Sequence, residues 1–411
     1  SVVIIGYQDN QKNIFEFIKN NLNKHYSLFL FVFLIYCLTP FAFFFDRLAL
    51  ADNLLSFFGV LSLFLSLLLS KFPNFNLSIL LGLSLGLAWL TKSPAIYFIV
   101  LSFLTFFIIN FKKIKYYVFP IISSFIAFLI YNILRLGPQF HQIALRNKDY
   151  IWSISEISKH PLDPLKPHLS NALEIYIHYL SWPILIIFII GLIFLIKKNW
   201  KIDIRNYLII LFWWLLPLIT NSALAKVFTA RYILFTLPPL IIIISIILYN
   251  IFLNFKTNIL KIFLFLFLFF TNIIFIFKLS TNPFSQKLPS SEIGYLQDWT
   301  SGWGIKESFD YLKNKSLTSN VIVGTEGSFG TLPNGFQIYA NKVKQLTVIG
   351  QGLGFATLPN NLKNAKNYGD DVYLIINKSR FNTVSLEQEG LKLINAYDKP
   401  GRDQLLLYQL N

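Results

Sequence analysis

Residues 232–252 read Tyr232-Ile-Leu-Phe-Thr-Leu-Pro-Pro-Leu-Ile-Ile-Ile-Ile-Ser-Ile-Ile-Leu-Tyr-Asn-Ile-Phe252, an apolar run without a single Asp, Glu, Lys or Arg. A helix needs roughly 20 such residues to cross the ~30 Å hydrocarbon core of a bilayer. Comparable runs occupy 26–45, 53–70, 95–111, 117–134, 178–196, 206–224 and 259–277, and a shorter one lies at 77–91. They are apolar on all sides, with no polar stripe at helical spacing, as membrane helices are. The breaks between them are polar or carry Pro: Lys71-Phe-Pro-Asn74, Lys92-Ser-Pro94 and Lys197-Lys-Asn-Trp-Lys201. The spacing predicts about nine spans; 77–91 is short enough that a re-entrant hairpin stays open.

Composition agrees with this reading. Of 411 residues, 55% are hydrophobic, 17% aromatic and only 14% charged, where a soluble domain carries about 25% charged residues. A single water-soluble domain is excluded. One Cys excludes a disulfide framework and a cysteine zinc site. The net charge of +16 suits basic cytoplasmic loops and does not point to nucleic acid. Those basic groups are Lys12, Lys19 and Lys24, then Lys112, Lys113 and Lys115, then Lys197, Lys198 and Lys201, and finally Lys256. Even numbers of runs separate them, so all four groups fall on one side, the expected cytoplasmic side of a plasma membrane. The external side then receives Asp46 to Asp52, Lys92, the loop 135–177, Lys226 to Tyr232 and everything after about 279. The chain lacks Met and opens on the apolar Ser1-Val-Val-Ile-Ile-Gly-Tyr7, which reads as a fragment whose first spans lie upstream.

Two external regions are more than connections. The loop 135–177 is about 40 residues long and mixes Tyr150, Ile151, Trp152, Ile154 and Ile157 with Arg146, Lys148 and Lys159. That pattern suits a helix lying in the membrane interface. Residues 285–411 carry more Gly, Asn and charge, with strand-like runs at 320–323, 346–349, 371–376 and 404–408 and helical stretches at 305–315 and 362–368. The expected architecture is a polytopic all-α membrane bundle over 1–280, followed by a small α/β extracytoplasmic domain over 285–411.

Charges inside so apolar a chain are costly unless they pair or function. Asp46, Arg47 and Asp52 stand together between two runs, Lys92 caps the external end of another, and Arg231-Tyr232 opens the run that continues into Pro238-Pro239. Arg47 also reads as an interfacial anchor. His160, Asp163 and His168 lack the spacing of a metal site. Gly350-Gln-Gly-Leu-Gly354 follows a strand-like run, but Phe355 replaces the third Gly of a dinucleotide fingerprint, so a glycine-rich turn is expected. The sequons at Asn314 and Asn377 carry little weight in a chain so rich in Asn and Ser.

Three segments together carry a family resemblance: Arg47-x-Ala-Leu-x-Asp52, then Gly82-x-x-x-Gly-Leu-Ala-x-Leu-Thr-Lys92, then Ala230-Arg-Tyr232 followed by prolines. Their order and sidedness resemble the GT-C glycosyltransferases, in the branch of the protein O-mannosyltransferases and the lipid A aminoarabinose transferase, over about 1–280. The resemblance implies a membrane enzyme that moves a sugar from a polyprenyl-phosphate donor to a lipid, glycan or protein acceptor. It places the family's catalytic acid in an external loop upstream of Ser1 and matches Asp52 to a later motif acid. The sequence expectation is that Lys92 and Arg231, with Tyr232, bind the donor phosphate. Asp52, held by Arg47 and accompanied by Asp46, would orient the acceptor or the base. No metal ligands are assigned, and a divalent cation is left open as a cofactor. A lipid-linked oligosaccharide flippase, a polysaccharide ligase and a non-catalytic scaffold are the competing readings.

Overall fold

The computed structural model describes residues 14–159, 162–197, 204–355, 357–401 and 403–411. Ser1 to Tyr7, Lys12, His160, Lys198 and Lys201, named above, lie outside the described residues. The chain divides into two compact units, Ser1–Ser280 and Thr281–Asn411.

The first unit is a helical membrane bundle. Among the described residues six helices are long and apolar enough to cross a bilayer: Ala51–Lys71, Ser93–Asn110, Ile114–Leu136, Arg205–Leu224, Ala230–Asn254 and Asn258–Thr281. A seventh arises if Leu165–Leu180 and Trp182–Ile193, bent by 112° at their junction, are one broken span. On the last long helix Phe263, Phe267 and Phe270 are largely exposed, as side chains facing lipid are.

Fewer long helices form than the apolar runs suggested, and proline is the main reason. The run 26–45 breaks into Tyr26–Cys37 and Pro40–Phe45. Pro40 has no N–H to continue a helix and forces extended backbone on Thr39 (φ −86°, ψ 114°). The run 178–196 contains a second break. One helix ends at Leu180, the next starts at Trp182-Pro183, and Ser181 between them has φ 74°, a conformation that costs a non-glycine residue. The run 77–91, by contrast, is one continuous helix, Phe75–Thr91, and not a hairpin.

Small residues set the helix spacing. The Phe75–Thr91 helix runs parallel to Val118–Tyr131. A Cβ on Gly82 would lie 2.7 Å from Ile126 Cβ, and one on Gly86 2.8 Å from Ile130 Cβ. The Gly82-x-x-x-Gly86 part of the motif is therefore a close-packing seam. Hydroxyls join neighbours where apolar side chains cannot: Ser62 with Ser84 at 2.9 Å, Ser66 with Ser102 at 2.8 Å, and Ser123 to the Ser78 carbonyl at 2.9 Å. At the end that holds Lys71, Asn110 Nδ2 donates to the Ser70 carbonyl and Lys71 sits over the Phe17 ring.

The loop 135–177 is mostly helical, with Phe140–Tyr150 and Ile154–Lys159 preceding Leu165–Leu180. The first of these buries no residue, and Leu145 is more than half exposed. This fits an amphipathic helix seated at a membrane surface.

The second unit is a five-stranded sheet of order β2-β1-β3-β5-β4, with β1 Val321–Thr325, β2 Leu346–Gly350, β3 Asp371–Asn377, β4 Leu391–Asp398 and β5 Gln404–Leu410. Strands β2, β1 and β3 are parallel, while β5 runs antiparallel to both β3 and β4. Period-two alternation feeds two cores. Tyr373, Ile375, Leu405 and Leu407 meet Ile305, Phe309 and Leu312 on one face. Val372, Leu374, Ile376, Leu406 and Tyr408 meet Leu362 and Leu386 on the other. With helices on both faces, the central strands read as continuous apolar runs.

Candidate functional site

Asp52 lies in the first turn of Ala51–Lys71 and is 3% exposed. A carboxylate placed there gains from the helix dipole, but burial still demands a partner. That partner is Lys92, whose Nζ is 2.5 Å from Asp52 Oδ1. Lys92 sits where the Phe75–Thr91 helix stops. Its backbone is extended (φ −163°, ψ 145°), and the 3-10 turn Ser93–Ala95 follows, with Pro94 lacking the N–H that would continue the helix.

A third element completes the group. Residues Ala230–Thr236 form a 3-10 turn ahead of the Leu237–Asn254 helix. Lys92 Nζ lies 4.8 Å from the Tyr232 ring centre, and the Arg231 guanidinium carbon lies 5.1 Å from the same ring. Arg231 also donates to the Tyr232 hydroxyl at 3.3 Å. Tyr232 is thus an aromatic platform shared by two cations. Burial pushes the Lys92 ammonium below its ordinary range; Asp52 raises it again in part, and the Arg231 charge works against it.

The platform is held from behind. Asn221 Nδ2 donates to the Tyr232 carbonyl at 3.1 Å, and Tyr97 donates to Asn221 Oδ1 at 3.0 Å. The long loop closes on the same end of the bundle: Trp152 N donates to the Leu224 carbonyl and Lys226 N to the Tyr150 carbonyl, both at 2.8 Å. His168, considered above beside Asp163, has a packing role, with Nδ1 2.9 Å from the Ser222 carbonyl and its ring stacked on Phe228. Among the described residues, no group of three or more His, Cys, Asp or Glu could hold a metal ion.

Two sequence expectations change. Arg47 does not hold Asp52: it is exposed, with its guanidinium 4.9 Å over the Phe43 ring. The pairing expected from five residues away is made instead by a lysine 40 residues along the chain. Asp46 does not join that pair either. Its Oδ2 accepts from Tyr36 at 3.1 Å, and partial burial pushes its carboxyl up. Asn53 ties the intervening turn down, donating to the Phe45 and Leu48 carbonyls at 2.7 and 3.1 Å. Tyr97 and Asn221, unremarkable in sequence, are the supports that the sequence analysis did not single out.

Chemically, the cluster brings two cations, a buried carboxylate and a shared ring together, in a place where water competes weakly. Arginine and lysine together are suited to an anion, the guanidinium through two parallel hydrogen bonds and the ammonium as a point charge. A second feature of the unit is a cavity of about 370 Å³ beside the break at Ser181, with His178, Trp182, Asn272 and Phe275 among its walls. Comparison with known protein families, with characterised proteins and with solved structures finds no match to this chain.

Proposed function

We propose that this chain is a membrane-embedded glycosyltransferase of the GT-C type, using a sugar on a polyprenyl phosphate as donor. One observation carries the reading: Asp52, Lys92, Tyr232 and Arg231, drawn from three separate stretches of an apolar bundle, converge on a single cluster. A solvated anchor would not need a buried counter-charge or a shared ring.

In the proposed reaction, Lys92 and Arg231 hold the phosphate, and Asp52 keeps the Lys92 ammonium aimed at it. The acceptor's hydroxyl or amine attacks the anomeric carbon. The bond from that carbon to the phosphate oxygen breaks, and its electron pair stays on the phosphate. The added negative charge is what the two cations stabilise, and preorganised charges of this kind often give the largest catalytic term. The acceptor's proton passes to a carboxylate at the same rim. Asp46, six residues before Asp52 and with its carboxyl pushed up by partial burial, is the described candidate. In this reading the bundle crosses the plasma membrane with about nine spans, and the cluster faces the external side with the lysine-rich ends inside.

The test is turnover by the full chain in lipid, supplied with a polyprenyl-phosphate sugar and a panel of acceptors. Release of polyprenyl phosphate together with a glycosylated product supports the reading, with a fall of about 100-fold or more in Lys92→Ala and Arg231→Ala. Movement of intact donor across the bilayer without cleavage overturns it in favour of a flippase. Unchanged turnover in both variants removes these residues from the mechanism.

A further inference from the structure

The second unit contains a site of its own. Its three parallel strands all end at one edge of the sheet, the edge where open α/β sheets bind ligands. A cavity of about 330 Å³ opens there. Glu326 follows β1, Gly352 follows β2, and Asn377 ends β3, and all three line the cavity. Trp299, Phe329 and Arg380 form part of its wall. The glycine-rich turn after β2 takes part through Gly352, which has φ 78°. It bridges to Gly327 (φ 77°), whose N–H donates to the Gly352 carbonyl at 2.6 Å. Positive φ at both positions brings bare backbone to the cavity edge.

Its polar lining is fixed before any ligand arrives. Glu326 is 2% exposed and accepts from Asn377 N at 3.0 Å and from Asn377 Nδ2 at 2.7 Å. Arg380 reaches the same carboxylate at 3.4 Å and lies 3.7 Å over the Trp299 ring. Because the Asn377 amide nitrogen must face a carboxylate, its Oδ1 is turned away as an acceptor, and that oxygen has no partner. Unfilled polar atoms of this kind are rare in folded proteins and call for an explanation.

Charge narrows the ligand. Among the described residues the cavity wall carries one carboxylate, Glu326, and one cation, Arg380, which meet each other at 3.4 Å. That pair offers a phosphate no positive excess among the described residues. What fits is a neutral molecule with donors for the acceptor-rich floor and an apolar face for Phe329, which stands 69% exposed at the rim. We propose that this cavity binds a neutral, hydroxyl-rich saccharide of roughly one to two rings, a size suited to the low end of small-molecule sites. The inference does not depend on the transfer chemistry of the first unit.

The experiment is saturation-transfer NMR on the full chain in a detergent without a sugar headgroup. The probes are the methyl glycosides of glucose, mannose, galactose and N-acetylglucosamine, each at about 10 mM. At least one is expected to bind, with affinity at least tenfold weaker in Phe329→Ala and signal lost in Asn377→Ala. Phe329→Ala removes only a rim side chain, so it tests the site even if Asn377→Ala fails to fold. Absence of binding by all four glycosides overturns the proposal. So does binding that Phe329→Ala leaves unchanged, or inorganic phosphate displacing the bound glycoside.

Discussion

Each unit lines its candidate site with a carboxylate that is almost completely buried, Asp52 at 3% exposure and Glu326 at 2%, and the two are held in opposite ways. Glu326 is surrounded by donors built into its own sheet: a backbone N–H, an amide and a guanidinium. Asp52 is paired with one ammonium at the end of a different helix. The first arrangement survives the loss of any single donor better than the second. The contrast suggests that Glu326 is part of a fixed wall, whereas Asp52 and Lys92 form a couple in which each controls the other.

The sharpest way to break the contrast is to remove one cation from each unit. Lys92→Ala leaves a buried, unpaired carboxylate and should destabilise the bundle by about 3 kcal/mol, the low end for a broken buried pair because Lys92 keeps some solvent contact. A thermal melt in lipid reads the loss. The double variant Asp52→Asn with Lys92→Met should recover much of the melt without recovering transfer, which separates folding from function. Glu326→Gln should cost less, about 1–3 kcal/mol, since the Asn377 donors remain. Comparable melts for Lys92→Ala and Glu326→Gln would erase the distinction.

Titration sharpens the same point. Burial lowers Lys92 below the ordinary lysine value, so the ammonium that the proposed transfer requires is lost at a lower pH than for an exposed lysine. Transfer should therefore decline on an alkaline limb below about 10.4, measured as kcat/KM against pH, and Lys92→Arg should push that limb upward. Lys399 in the second unit is also lowered by burial. Its folded form resists protonation more than its unfolded form does. Its penalty is therefore full below the lowered value and fades as pH rises toward the ordinary one, so its contribution to stability should improve across that window. The smallest effect belongs to Arg47→Ala. An exposed cation over one ring contributes about 0.5–1 kcal/mol, so the melt should barely move.

The sequence made the membrane bundle legible because apolar runs of span length have few other uses. It also marked Asp52, Lys92, Arg231 and Tyr232, since charges in so greasy a chain stand out. It did not reveal the pairing. Arg47 is close to Asp52 along the chain, while Lys92 is near it only once two helices have packed. The breaks at Thr39 and Ser181 were hidden inside runs whose hydropathy never falters; Pro40 and Pro183 were the signals. In the second unit, strand β4 was missed because Leu391-Lys-Leu-Ile-Asn-Ala-Tyr-Asp398 lies at the sheet's edge, where polar residues interrupt the apolar pattern. Glu326 was not singled out in the sequence, because Asn377 and Arg380, which close on it, lie 51 and 54 residues further along the chain.

The seam between Gly82 and Gly86 has one more consequence. It clamps the Phe75–Thr91 helix in place barely two turns before Lys92. The helix works as a ruler: its zero mark is pinned against Ile126 and Ile130, and its tip carries the ammonium. One residue inserted after Gly86 would swing that tip by about 100° and advance it about 1.5 Å, with no slack upstream to absorb the change. Length here positions the Lys92 ammonium as much as side-chain identity does.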